Sequence, residues 1–218
     1  MANLVKKPVV ESRGVSDLVY ALVTKDDSTE YTTGPVKHLM PVAEIAKTTE
    51  TSRESHYYDN KPAITINSEG TDEITITGAL LDSKTQAEIL GKGYDETTGA
   101  YSDSEADPPY IALGYRSQNT DGSEYCAWRY KGTFSIPDES AKTKDNGTEG
   151  SGTSLTYTGI NTEHVFQNGK GRGKPGSAKG IKVNTADDLA DLSTFFDTVT
   201  TCDTIEAKQA TSGEDTGA

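Results

Sequence analysis

Residues Tyr125 to Ile136 alternate between apolar and polar side chains, and this pattern constrains the fold more than any other feature of the sequence. The even positions carry the apolar or small residues Cys126, Trp128, Tyr130, Gly132, Phe134 and Ile136, and the odd positions include Arg129, Lys131, Thr133 and Ser135. Alternation of apolar and polar side chains over about twelve residues predicts a β-strand with one buried and one solvent-exposed face. The segment Tyr110 to Ser117 alternates in the same way, and residues 118–123 between the two are rich in turn formers and contain Asp-Gly. The sequence therefore predicts a long antiparallel hairpin.

The remaining sequence also favours β structure. The chain has 30 threonines, 11 tyrosines and 21 glycines among its 218 residues, and threonine and tyrosine are strand-favouring. Further strands are predicted at Leu18–Thr24, Val42–Thr49, Ala63–Ser68, Glu73–Thr77, Ser154–Ile160 and Gly180–Asn184. The predicted fold class is mostly β, an antiparallel β-sandwich or barrel with one or two short flanking α-helices and long polar loops.

Two short helices are predicted beside the strands. The first covers Ser83–Leu90, where Ser83 and Gln86 match an S-x-x-Q capping box and Gly91 can end the helix in a left-handed conformation. The second covers Ala186–Phe196 and has Thr185 as its cap. Its apolar stripe is formed by Leu189, Leu192 and Phe196. Helices this short need tertiary packing to be stable in water, so both are expected to lie against the sheets.

The polar stretches divide the chain into one domain with flexible extensions. We expect an N-terminal arm at 1–14, a single β domain at 15–206 and a flexible C-terminal tail at 207–218. Within the domain, long loops are predicted at 94–109, 137–153 and 167–180. Long loops without structure of their own are uncommon in compact domains, so these segments are expected to become ordered against another chain.

The composition excludes several classes of partner. With 21 Lys and Arg against 34 Asp and Glu, the net charge is −13, which opposes binding to nucleic acids or anionic membranes through the net field. The longest apolar run, Leu18 to Val23, is far too short for a membrane anchor. The first residues lack the apolar stretch of a secretory signal, which predicts synthesis in the cytoplasm. Cys126 and Cys202 are accordingly expected to be buried free thiols.

No arrangement of residues in the sequence predicts catalysis, a cofactor or a metal. The three histidines His38, His56 and His164 are scattered and match no metal-binding motif. Residues 171–176 formally match G-x-G-x-x-G, but Pro175 removes a backbone donor and the residues after it favour a strand, whereas a dinucleotide site requires a helix there. The chain is therefore predicted not to be an enzyme.

Two groups of residues are candidate contacts between subunits. A basic cluster in an otherwise acidic chain is formed by Lys170, Arg172, Lys174 and Lys179. It is either a solvated loop or a contact to an acidic patch on a neighbouring subunit, which salt would weaken. Tyr57 and Tyr58 are either an interface anchor or the outer end of a strand.

Several segments, in order, resemble the major tail proteins of long, non-contractile-tailed phages of Gram-positive bacteria. The similar segments are Gly14–Ala21, Ser55–Pro62, Thr71–Thr77, Gln86–Gly91, Gly114–Ser117 and Tyr130–Phe134. The resemblance covers roughly residues 10 to 200 and rests on order and spacing. The loop at 94–109 is longer than its usual counterpart in the family, and residues 169–180 match nothing in it.

The resemblance implies a structural virion protein located in the phage tail and assembled with itself. Such proteins form hexameric rings that stack into a hollow tube around a tape-measure protein, bounded by tail terminator and tail-tip proteins. DNA passes through the lumen without specific binding, and carboxylates facing the lumen would repel its phosphates. Glu44, Glu69 and Glu73 are the candidate lumen acids.

Two other functions remain open from the sequence. The first is an extracellular-type β-sandwich binding module, for a carbohydrate or a surface adhesin, which predicts a stable monomer with an exposed aromatic platform. The second is an acidic hydrolase on a β scaffold, which predicts a paired-carboxylate cleft. The sequence offers no distinguished pair of acids for the hydrolase.

Overall fold

The computed structural model describes residues 9–137 and 152–209, and the chain is mostly β. The strands are β1 (Ser12–Asp26), β2 (Tyr31–Thr33), β3 (Lys37–His38), β4 (Val42–Tyr58), β5 (Lys61–Gly78), β6 (Gly93–Tyr94), β7 (Tyr101–Ser102), β8 (Ile111–Asn119), β9 (Glu124–Phe134), β10 (Thr153–Ile160) and β11 (Gly180–Asn184). One α-helix, α1 (Ser83–Leu90), follows β5. The predicted mostly β fold class is confirmed.

A nine-stranded antiparallel sheet contains all of the strands except the small β6–β7 pair. Its main path runs β2-β1-β8-β9-β10-β5-β4, with β3 beside β1 and β11 beside β9. The sheet curls so that β1 also approaches β4, which gives a β-sandwich-like body. The predicted hairpin is confirmed: β8 pairs with β9 from Gln118↔Glu124 onward, and Gly122 in the turn has a φ of 85°.

The sheet forks along β9. Residues 125–129 of β9 pair with β11, whereas residues 131–134 pair with β10. On the opposite edge, the register with β8 shifts between Ile111↔Gly132 and Leu113↔Arg129, so a bulge lies at the same level. A β-bulge bends its strand and changes which face the following side chains occupy.

The two faces of the sheet cover two separate cores. On β1, Leu18 and Tyr20 enter the first core with the helix residues Ile89 and Leu90, and Ala21 on the opposite face enters the second. The even positions of β9 were predicted to form one apolar face, which is wrong. Cys126, Trp128 and Tyr130 lie in the second core, Phe134 lies in the first, and Ile136 is exposed. The bulge in β9 explains the change of face.

The first predicted helix has the expected bounds but a different cap. Helix α1 covers Ser83–Leu90, and Gly91 follows it with a φ of 64°, as predicted. The N-cap is Asp82, whose carboxylate accepts a hydrogen bond of 2.9 Å from the Thr85 amide, so the predicted Ser83–Gln86 capping box does not form. Asp82 precedes the first helical residue and provides the same acceptor one position earlier.

The second predicted helix, Ala186–Phe196, is wrong. Only a 3-10 turn forms at Thr185–Asp187, capped by Asn184, and Asp188 then adopts a left-handed conformation with a φ of 48°. The chain beyond it pairs with the end of the described chain, because the Leu189 carbonyl accepts the Lys208 amide and a bridge joins Ala190 to Ala207. These long-range bonds replace helical bonds. Leu189 is consequently exposed, whereas Leu192 and Phe196 still pack on the second core.

The predicted loops and extensions differ in how much structure they have. Strand β1 begins inside the predicted 1–14 arm, and the loop at 94–109 contains the β6–β7 pair. The loop at 167–180 is closed at its base by two backbone bonds between Phe166 and Gly176. Residues 138–151 of the loop predicted at 137–153, and residues 210–218 of the predicted tail, lie outside the described residues. Cys126 and Cys202 are free thiols, the first buried as predicted and the second partly exposed.

Candidate assembly surface

Strands β4 and β5 continue beyond the sheet as a free two-stranded ribbon. Its residues run from 50 to 58 and from 61 to 70, and all of them are exposed except His56, which is half-buried. The sequence predicted separate strands at Val42–Thr49, Ala63–Ser68 and Glu73–Thr77, and the structure joins and extends them into one hairpin. The ribbon begins at an irregularity in the pairing between Thr49 and Thr51.

The tip of the ribbon is a tight turn flanked by tyrosines. Asp59 and Asn60 form the two-residue connection, with φ values of 49° and 60°. Two consecutive positive φ values are the signature of a type I′ hairpin turn, which Asn and Asp tolerate better than most residues. Tyr57 and Tyr58 next to the turn are 67% and 61% exposed. The structure thus places both predicted contact residues where a partner can reach them.

The ribbon lacks a core of its own. Ile64 and Ile66, two positions apart on the same face of β5, are each more than half exposed. Cross-strand contacts between small hydroxyls, such as Ser52 with Ser68 at 2.7 Å, join the strands beside the backbone bonds. An isolated two-stranded hairpin is marginally stable in water, so exposed aromatic and aliphatic side chains on it indicate a surface that gains stability when covered.

Two of the three candidate lumen acids, Glu44 and Glu73, share one face of the β4–β5 hairpin. In the register of this hairpin Glu44 lies opposite Thr77, Glu73 opposite Thr48, and Glu69 opposite Thr51. All three acids are exposed, but a bulge adds a residue to β5 between Asp72 and Glu69, so Glu69 faces the same side as Asp72 and lies opposite to Glu44 and Glu73. The place of these acids in a lumen stays a prediction.

The predicted basic cluster separates into an exposed part and a partly buried part. Lys170, Arg172 and Lys174 are exposed on a loop shaped by Gly171 and Gly173, which have positive φ values, and by Asn168, whose side chain accepts the Gly173 amide at 2.8 Å. Lys179 differs, because its side chain is only 12% exposed and its Nζ lies 3.4 Å from Oδ1 of Asp72 in the same chain. Lys179 is therefore paired within its own subunit and is not part of a solvated loop, and its role in a contact between subunits stays a prediction.

Asp72 is the centre of a buried charge cluster that the sequence did not predict. Its side chain is 3% exposed, and Oδ2 lies 3.2 Å from Nζ of Lys47 and 3.5 Å from a terminal nitrogen (NH1) of Arg129. Thr49 also donates its hydroxyl hydrogen to Oδ1 of Asp72 at 2.8 Å. Burial alone would raise the pKa of Asp72, but the hydrogen bond from Thr49 and the bond and charge of Lys47 outweigh it, so its pKa lies below the usual range.

The cluster lies at the fork of the sheet, on the floor of an open groove of about 540 Å³ that we call the Asp72 groove. Asp72 is on β5 beside Gly159 of β10, Arg129 is on β9, and Lys179 directly precedes β11. One rim is formed by Thr51 and Glu69 at the base of the free ribbon. The groove and the ribbon are therefore parts of one continuous surface.

Sequence reasoning missed Lys47, Asp72 and Arg129 because they are far apart along the chain. The fork that brings them together depends on the pairing of β9 with both β10 and β11. No local sequence pattern indicates this pairing. The ribbon had a weak signal in the polar Asp59-Asn60 pair between two β-favouring segments, which fits a two-residue hairpin turn.

The histidines do not form a common site. His38 is on β3, His56 is on the ribbon, and His164 lies edge-on to the ring of Phe166. Among residues 9–137 and 152–209, no group of three or more His, Cys, Asp or Glu side chains is arranged to hold a metal ion. In the same part of the chain, no helix has the length and apolar character needed to cross a membrane.

The sequence matches no known family profile and no curated protein.

Proposed function

We propose that this protein is a structural virion subunit that assembles with itself into stacked hexameric rings forming a phage tail tube, the conduit for genome delivery. The observation that carries this proposal is the free ribbon at residues 50–70, with its exposed tyrosines and isoleucines. A ribbon without a core gains stability when a second surface covers it, and in a self-assembling protein the nearest such surface belongs to another copy.

The resemblance to major tail proteins supports the identity of the assembly. It leads us to propose the phage tail as the location, and the tape-measure, tail terminator and tail-tip proteins as further partners. The shared, exposed face of Glu44 and Glu73 fits a lumen lining, whereas Glu69 lies on the opposite face of the hairpin. Carboxylates at that position repel DNA phosphates, so that DNA slides past them without specific binding.

The test is negative-stain electron microscopy of the purified protein over a concentration series, with light scattering on the same samples. We expect rings or tubes of uniform bore with six subunits per ring. The proposal fails if the protein stays monomeric at every concentration and also when an initiating tail-tip complex is supplied.

The second candidate is a β-sandwich module that binds a carbohydrate or an adhesin receptor. The observation that favours it is the pair Tyr57 and Tyr58, which expose two aromatic rings at the end of a projecting element. A glycan array on the same monomeric sample separates the two functions. Binding by a monomer that never assembles supports the module and contradicts the tube.

A further inference from the structure

Assembly of this chain with itself faces an electrostatic barrier. Each copy has a net charge of −13, so two copies repel one another unless a basic region of one meets an acidic region of the other. The candidates for such a region are therefore the places where positive charge exceeds negative charge. The Asp72 groove is one of them, and it adjoins the ribbon on which the proposed function rests.

The cations of the Asp72 groove are not fully neutralised within the subunit. Lys47, Arg129 and Lys179 face the two carboxylates Asp72 and Glu69, and Glu69 is exposed on the rim. One positive charge therefore remains unmatched. The exposed loop with Lys170, Arg172 and Lys174 continues from the same wall, where Gly169 and Ser177 line the groove, and adds three more cations nearby.

Arg129 also has unused hydrogen-bonding capacity. Its Nε atom is buried and has no hydrogen-bond partner within the described part of the chain, and its contact to Asp72 is long at 3.5 Å. A guanidinium group binds carboxylates through two parallel N–H donors, and leaving such donors unsatisfied in a buried position costs stability. A carboxylate that enters the groove would supply the missing acceptors.

The pKa of the neighbouring Lys182 reflects the same positive electrostatic potential. Burial lowers its pKa, and the charges of Arg129 and Lys47 lower it further. A lysine whose protonated form is disfavoured by other cations lies in a region of positive potential, and a bound anion would remove that effect. This shift supports the geometric argument.

We propose that the Asp72 groove is an anion-binding site that receives carboxylate side chains of a second copy of the chain. The inference rests on the proposed self-assembly and adds to it the chemistry of one contact. Glu105 and Asp107 are the matching groups, since both are exposed and neither forms an ion pair among the described residues. Glu96 and Asp103 in the same stretch are already paired with Lys84 and Lys92.

The first measurement uses the monomeric protein and a synthetic peptide with the sequence of residues 102–109. In ¹⁵N-labelled protein we expect the amides of Lys47, Arg129, Lys179 and Gly180 to shift as the peptide is added. A peptide with Gln and Asn at the positions of Glu105 and Asp107 should produce about tenfold weaker binding. Absence of shifts at these amides overturns the proposal, as does a response to inorganic phosphate with none to the peptide.

The second measurement uses the full chain and its assembly. Lys179→Gln and Lys47→Gln each leave Asp72 two cationic neighbours, so both variants should fold, which circular dichroism will verify. We expect each to raise the concentration at which light scattering detects assembly by about tenfold at low salt. Lys25→Gln on β1 removes the same charge outside the groove and outside the acidic loop, since Lys25 pairs with Asp27 and Glu30, and it should assemble like the unmodified protein.

The two proposals fail in different ways. If the unmodified protein assembles and the groove variants assemble at the same concentration and with the same salt dependence, the groove inference is wrong and the structural function stands. If the protein never assembles but the peptide binds at the groove, the structural function is wrong and the anion site stands.

Discussion

The indole Nε1 of Trp128 donates a hydrogen bond of 2.8 Å to the main-chain carbonyl of Phe195, and both residues are buried. This bond connects β9 in the middle of the sheet to the irregular segment that covers the second core. The Thr200 hydroxyl donates to the same carbonyl at 3.0 Å. The carbonyl thus has two donors, and they fix where the C-terminal segment crosses the sheet.

Replacing Trp128 by Phe should destabilise the fold by about 2 kcal/mol, because the bond and part of the buried ring are lost. Thr200→Val should cost about 1 kcal/mol, since Trp128 still satisfies the carbonyl. The double variant removes both donors and should cost more than the sum of the single variants. Urea unfolding of the four proteins measures these differences, and strict additivity would show that the shared carbonyl is unimportant.

Gly91→Ala should be far more damaging than Gly173→Ala, although both glycines have nearly the same backbone conformation. Their φ values are 64° and 69°, so alanine is strained at both positions, by about 1–2 kcal/mol. A Cβ at Gly91 would also lie 1.8 Å from the carbonyl oxygen of Asp107, whereas a Cβ at Gly173 meets nothing within 4 Å. Thermal unfolding of the two variants isolates the clash, and equal melting temperatures would contradict it.

The buried pair of Asp26 and Lys131 should make stability fall in acid. The Asp26 carboxylate accepts the Glu163 and His164 amides, each at 2.9 Å, and lies 2.7 Å from Nζ of Lys131. Burial alone would raise the pKa of Asp26, but the bond from Lys131 and those from the amides outweigh it and place the pKa below the usual value.

The sign of the pH dependence follows from this lowered pKa. Unfolded Asp26 takes up a proton near pH 3.9, whereas folded Asp26 does so only at lower pH. Its contribution is therefore complete above about pH 5 and is lost as the pH falls through the folded pKa. Asp26→Asn should be less stable at pH 7 and should lose less free energy of unfolding between pH 5 and 3. Parallel pH profiles for the two proteins would exclude this role for Asp26.

The double substitution Tyr57→Ser and Tyr58→Ser should abolish assembly and leave the monomer intact. Both side chains are more than 60% exposed, so their loss should change the free energy of unfolding by less than about 0.5 kcal/mol. Light scattering and electron microscopy measure the assembly. Leu80→Ser is the matched control, because Leu80 is equally exposed but lies outside the ribbon. Normal rings from the double variant would contradict the role of the tip.

The sequence predicted the elements whose side chains alternate or whose ends are marked locally. The β8–β9 hairpin and the bounds of α1 followed from such patterns, and so did the strand at Gly180–Asn184. The second helix failed because its apolar spacing was helical, whereas Asp188 ends the turn and long-range bonds take over the backbone beyond it. Helix propensity is a local property of the sequence, and it does not include the free energy of such tertiary hydrogen bonds.

The candidate site was predictable only in part. Tyr57 and Tyr58 could be identified because paired aromatic residues in a polar segment are unusual. The Asp72 groove could not, because its charged residues come from three strands and the segment before β11, and they meet only where the sheet forks. The pairing of Lys179 with Asp72 could not be predicted for the same reason.

The free ribbon is long compared with its width, so a small rotation at its base moves its tip by several ångströms. Strands advance by about 3.4 Å per residue, so the part of β4 beyond Thr49 carries Tyr58 about 30 Å from the sheet. At that distance a tilt of about 10° at the irregular base displaces the tip by about 5 Å, while the body of the domain stays fixed. A partner bound to the tip can therefore move by about 5 Å, which is the spacing between neighbouring strands, without disturbing the packing of either core.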